Sequence, residues 1–254
     1  MAESKAKKTT KKAETTETTV SSTRTNTLSR TANLRTPLAA CAAELIGTFM
    51  LAAAVIVVQG QQLFVMFALI TIVLVVGQLS GAHVNPAITF GAWVSQRITG
   101  LRAIGYVIAQ FIGAMLAVVI LSALLDKTPT ASPVGGAATT PELFKAAAIA
   151  GGREWTAFFA EILGSAVFGF GVAAAMRQKE RIAAAFAVGG SLYMGLLIGG
   201  TTVVLNPAVA MSIKALDLGQ FMTVGIFAIA TMVGAAIGFL LHKFVWKELS
   251  PAHE

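Results

Sequence analysis

Six stretches of the chain are almost uninterruptedly apolar: residues 38–58, 63–80, 103–125, 155–176, 182–200 and 219–241. A bilayer's hydrocarbon core is about 30 Å thick and a helix rises about 1.5 Å per residue, so each stretch is long enough to cross it. Two further apolar pieces, 86–95 and 207–215, are about half that length. A helix over either reaches about 15 Å, enough to enter the membrane but not to cross it.

The pattern repeats. Ala43-Glu44-Leu45-Ile46-Gly47-Thr48 parallels Ala160-Glu161-Ile162-Leu163-Gly164-Ser165, and Asn85-Pro86-Ala87 recurs as Asn206-Pro207-Ala208. Ile108 to Ala114 parallels Ile229 to Ala235, and the step from Asn85 to Gly113 equals that from Asn206 to Gly234, 28 residues. Three matches in one order with near-equal spacing indicate a duplicated unit. Each unit holds three spans, an odd number, so the second must be inverted relative to the first. The fold class predicted is an all-α membrane protein with six transmembrane helices and two re-entrant half-helices in an inverted 3+3 repeat. Such a repeat puts its functional site at the midplane, where discontinuous helices meet.

Composition agrees, with 56% apolar and 12% charged residues. Charge adds orientation. Of the net +7, +5 lies in residues 1–36, where eight Lys/Arg face three Glu. That Thr- and Lys-rich stretch has nothing large to bury and reads as a disordered basic cytoplasmic tail in contact with anionic lipid, not with nucleic acid. With the N-terminus inside, fifteen Lys/Arg fall on the cytoplasmic side and four outside (Lys127, Lys145, Arg153, Lys214), which places both termini in the cytoplasm. The single cysteine, Cys41, excludes an intrachain disulfide. No phosphate-binding loop and no His-Glu-x-x-His occur, and three His with one Cys offer no metal site, so the chain reads as no enzyme.

Asn is a strong N-cap and Pro suits the first helical position, so each Asn-Pro-Ala opens a helix. The residues before it must carry the chain to the midplane without helical bonding, which is tolerable only where backbone lines a cavity or is buried in protein. If the Asn85 and Asn206 oxygens cap the helices, their amide donors are left free for a pore. Two helix N-termini aimed at one spot disfavour cations there. Glu44 and Glu161 are the only charged side chains inside the six spans. An intramembrane carboxylate demands a role, either as a proton relay or as the acceptor that holds a strained re-entrant loop. Their equivalent places favour support. His83 reads as a loop-fixing hydrogen-bonder, with a pH gate as the alternative. The small-xxx-small pairs Gly195/Gly199 and Gly234/Gly238 read as tight helix packing.

Carried by both Asn-Pro-Ala elements and by Ser80-Gly81-Ala82-His83-Val84-Asn85-Pro86-Ala87, the chain resembles the aquaporin and aquaglyceroporin family over 37–245. The resemblance implies a passive channel for water or small uncharged solutes, a homotetramer with one pore per subunit, a plasma-membrane location and no cofactor. It divides the chain into the tail 1–36, a channel domain 37–245 (halves 37–125 and 154–245 joined by an outer loop 126–153), and a C-terminal cytoplasmic tail 246–254. The chain departs from the family at one point: the second motif continues with Val209, where members place Arg. Ungapped alignment from each Asn adds Val65, Met194 and Val203 to that constriction, an all-apolar selectivity filter, though a small rotation would instead present Phe64, Phe67, Tyr193 or Gly195. Ala210 stands where glycerol facilitators tend to have Asp. Lys214, two turns up the half-helix, does not replace the Arg. An apolar ring keeps two other readings open: a non-conducting structural membrane protein of the same fold, and a gradient-coupled secondary transporter.

Overall fold

The computed structural model describes residues 37–125, 142–200 and 202–249. The basic tail, the first part of the outer loop and the last residues of the chain lie outside this set. Six helices are long and apolar enough to span a membrane: α1 (Pro37–Val57), α2 (Gln62–Ser80), α4 (Gly100–Leu124), α5 (Glu154–Ala175), α6 (Arg181–Gly199) and α8 (Phe221–Glu248). Between them stand the half-helices α3 (Pro86–Val94) and α7 (Pro207–Ser212). The described residues contain no strand. Residues from Cys41 onward form one compact unit, and Pro37–Ala40 are helical.

The duplicated sequence is a duplicated packing scheme. A β-carbon on Gly113 of α4 would overlap the Leu45 carbonyl of α1, and one on Gly234 of α8 would overlap the Ile162 carbonyl of α5. Leu45 and Ile162 are equivalent in the repeat, so both halves cross their first and third spans at one glycine, where two backbones touch. Without a hydrophobic drive between helices in lipid, such close approach is what holds the spans together. Gly195 lies against the Gly164 backbone and Gly238 against Ala166, the packing role expected of them.

Both half-helices end by reversing the chain. Arg97 N–H returns to the Ala92 carbonyl, with Gln96 left-handed at φ 65°; Ala215 N–H returns to the Ala210 carbonyl, with Lys214 at φ 59°. This reversal stops α7 at Ser212, short of the apolar piece read as 207–215. The last span is longer than its apolar core, running past residue 241 and containing a π-helical stretch at Gly225–Ala230.

Candidate functional site

Each Asn caps its own half-helix. Asn85 Oδ1 accepts from the amides of Ala87 (2.8 Å) and Ile88 (3.4 Å), and Asn206 Oδ1 from those of Ala208 (3.1 Å) and Val209 (3.3 Å). Their amide nitrogens are not both free, as capping alone suggested. Asn85 Nδ2 donates to the Leu205 carbonyl at 2.8 Å and Asn206 Nδ2 to the Val84 carbonyl at 2.9 Å. The two loops are thus tied across the midplane by a reciprocal bridge, and each Asn keeps one N–H for the cavity.

That bridge needs the Val84 and Leu205 carbonyls turned toward the opposite half. The backbone achieves this by going left-handed at φ 42° in Val84 and 60° in Leu205. A β-branched residue such as Val84 or a bulky one such as Leu205 is strained in this region, and such strain persists only where surrounding groups over-determine it. Here the carboxylates do so. Glu44 Oε1 accepts the His83 amide at 2.9 Å and Oε2 the Val84 amide at 2.6 Å; Glu161 Oε1 accepts the Val204 amide at 2.7 Å and Oε2 the Leu205 amide at 3.0 Å. Both side chains are fully buried. With both oxygens of each carboxylate engaged by backbone donors, the geometry is that of loop support.

His83 belongs to the same scaffold. Gln110 Nε2 donates to Glu44 Oε2 (2.7 Å) and to Thr89 Oγ1 (2.9 Å), and Thr89 Oγ1 lies 3.2 Å from His83 Nδ1. The Thr89 hydroxyl has one proton to donate and a second lone pair to accept with, so it meets Nδ1 in either ring tautomer. The ring packs edge-on against Tyr106, whose hydroxyl donates to the Ser80 carbonyl at 2.6 Å.

Two cavities meet at this junction. The outer, of about 430 Å³, reaches down to Asn85 and Asn206; the inner, of about 300 Å³, opens toward Lys179 and Arg181. His83 and Phe168 line both. The sequence matches the family described as Major intrinsic protein over residues 58–242. The chain belongs to the major intrinsic protein family. It is 33% identical over 176 residues to Aquaporin-1 of Ovis aries, covering 67% of this chain and 61% of that protein. It is 33% identical over 180 residues to the Lens fiber major intrinsic protein of Homo sapiens (70% and 65% covered). It is also 31% identical over 195 residues to the Probable aquaporin AqpM of Archaeoglobus fulgidus (71% and 74%). The match thus spans about three fifths of the sheep protein's length. The X-ray structure of the aquaglyceroporin from Plasmodium falciparum shares the fold, with a TM-score of 0.57 over 84% of this chain and 96% of that one at 17% identity.

Within this multi-pass major intrinsic protein, the residues anticipated for the constriction separate. Val65, Val203 and Val209 are buried and line the outer cavity. Met194 does not: it is 49% exposed on the outer surface of α6, and Leu192 and Leu196 face the cavity in its place. A two-residue offset turns a helix by about 200°, enough to reverse the face. α6 ends at Gly199, seven residues before Asn206, whereas α2 ends at Ser80, five before Asn85. Phe64 and Phe67 are also exposed and outside the lining. Sequence reading missed Phe168, which separates the two cavities, and Lys145, which the outer loop brings to the mouth. An evenly apolar span carries no amphipathic signal of its pore-facing side, and the loop carries no periodicity.

Proposed function

We propose that this major intrinsic protein is a passive channel for water and small uncharged solutes, with an outer constriction of Val65, Leu192, Leu196, Val203 and Val209. The observation that carries the proposal is the reciprocal Asn–carbonyl bridge standing where two opposed cavities meet. Each Asn presents one N–H there, and two half-helix N-termini set a positive potential against cations. Above this point the constriction offers no side-chain donor in place of the family's Arg. A permeant must shed hydration against an apolar wall, so passage favours small solutes with weakly held water. Membership in the family supports a homotetramer in the plasma membrane with a pore in each subunit, and the Lys/Arg asymmetry supports cytoplasmic termini.

The test is light-scattering stopped flow on proteoliposomes of the full chain beside Val209→Arg. The expected result is neutral-solute flux above that of protein-free vesicles, with the Arg variant lowering the ratio of solute to water permeability. The apolar constriction also suits a non-conducting member that keeps the fold for structural contacts. Permeability at the level of empty vesicles for water, glycerol and ammonia alike would select that reading.

A further inference from the structure

The outer loop returns to the pore. Its described part, beginning at Glu142, is pinned to α7 by the Ala146 amide, which donates to the Ile213 carbonyl at 2.8 Å; the Ile213 amide in turn donates to the Val209 carbonyl at 3.1 Å. The loop backbone is therefore bonded to Ile213, which stands about one helical turn, about 5.4 Å, beyond Val209. Phe144 fixes the other side, its ring against Gly60, where a β-carbon would come within 3.1 Å of it. Between these anchors Phe144, Lys145 and Ala146 all line the outer cavity.

Among the described residues lining that cavity, Lys145 alone carries a full charge. Lys214, the cation nearest Val209 in sequence, lines a separate outer cavity together with Glu154 and Asp217. Glu142 pairs with the Lys145 ammonium from outside the pore lining, where it faces another cavity beside Ile56 and Val57. The Lys145 ammonium beside it holds the Glu142 carboxyl below the usual carboxylate range. Lys145 belongs to the wall of the outer cavity and Glu142 does not, so the pair sets its positive member toward the pore.

We propose that Lys145, supplied by the loop between the halves, is the cation-rejecting group of the outer mouth, a specificity-determining residue that places above the constriction the charge Val209 leaves out of it. This rests on the pore reading above. Because the charge stands in the vestibule and not in the ring, it acts through space. Low-dielectric walls focus its field, which salt screens over about 8 Å at physiological ionic strength. The mouth rejects cations while the ring below remains apolar, and neutral solutes pass both.

The field at the mouth can be read without relying on permeation. Thr202 lines the outer cavity and is exposed, so Thr202→Cys in a Cys41→Ser background gives a single reactive thiol. The quantity measured is the ratio of its modification rates by a trimethylammonium and by a sulfonate methanethiosulfonate, with Lys145 intact, as Lys145→Gln and as Lys145→Glu. At about 10 mM salt the cation-to-anion ratio should rise about threefold in Lys145→Gln and about tenfold in Lys145→Glu, and at 1 M, with screening near 3 Å, the differences should largely vanish. An unchanged ratio at low salt in both variants overturns the proposal. Neutral-solute flux measured on the same preparations reports separately on the pore: its absence with a shifted ratio sinks the channel reading and leaves the charge at the mouth in place.

Discussion

The loop before Asn85 and the loop before Asn206 follow the same strained path, but one is embedded in a polar network and the other has only its carboxylate and the bridging Asn85. Counting from each Asn, His83, Thr89 and Gln110 of the first half correspond to Val204, Ala210 and Thr231 of the second. Glu44 accepts three hydrogen bonds, the third from Gln110, whereas Glu161 accepts two. Thr231 bonds only carbonyls of its own helix, Phe227 at 3.1 Å and Ala228 at 2.8 Å. What the halves share, a carboxylate and a capping Asn, is therefore the minimum that the re-entrant backbone needs. What differs is the polarity of the surroundings, and the less polar loop is the one that reaches the outer constriction with Val203 and Val209.

The comparison breaks hardest at the shared element. Replacing Glu44 or Glu161 by Leu leaves two backbone amides without acceptors, one of each pair on a left-handed residue, at about 1–3 kcal/mol each. Both variants should lose most of their monodisperse yield in detergent. Glu44→Leu should be the worse of the two, because it also takes the acceptor from one of the two Gln110 amide N–H groups; equal losses would mean that the Gln110 contact contributes nothing. Next in size is Glu161→Gln, which keeps one acceptor oxygen but sets an NH2 group against a backbone N–H. It should cost about 1–3 kcal/mol, read as a lowered melting temperature. The smallest effect separates the halves most cleanly. Gln110→Leu should cost about 1 kcal/mol, in the range of buried polar contacts in membrane proteins, while Thr231→Val, which removes no contact between elements, should change stability by less than about 0.5 kcal/mol. A Thr231 effect as large as that of Gln110 would contradict the asymmetry.

The sequence carried the architecture because membrane spans announce themselves by length and the duplication by matched residues. It also singled out Glu44 and Glu161, since paired charges at equivalent places inside apolar spans have few uses. The reciprocal bridge was not legible. It depends on the left-handed turns at Val84 and Leu205, which residue type argues against and which only the opposing half makes worthwhile. Nor was the face of α6 legible: Leu192, Met194 and Leu196 are all apolar, and only the packing of α6 against α2 and α5 decides which of them meets the cavity. Lys145 stayed hidden for another reason. Its position is set by one backbone hydrogen bond and by Phe144, neither of which leaves a mark in composition or period.

The central claim, a passive pore at the meeting of two half-helices, is tested most directly by neutral-solute flux into proteoliposomes of the full chain, recorded with and without a proton ionophore and with sodium replaced by choline. The account predicts flux above that of protein-free vesicles, unchanged by either treatment. Flux at the level of empty vesicles, or flux that disappears when the gradients are collapsed, would contradict it.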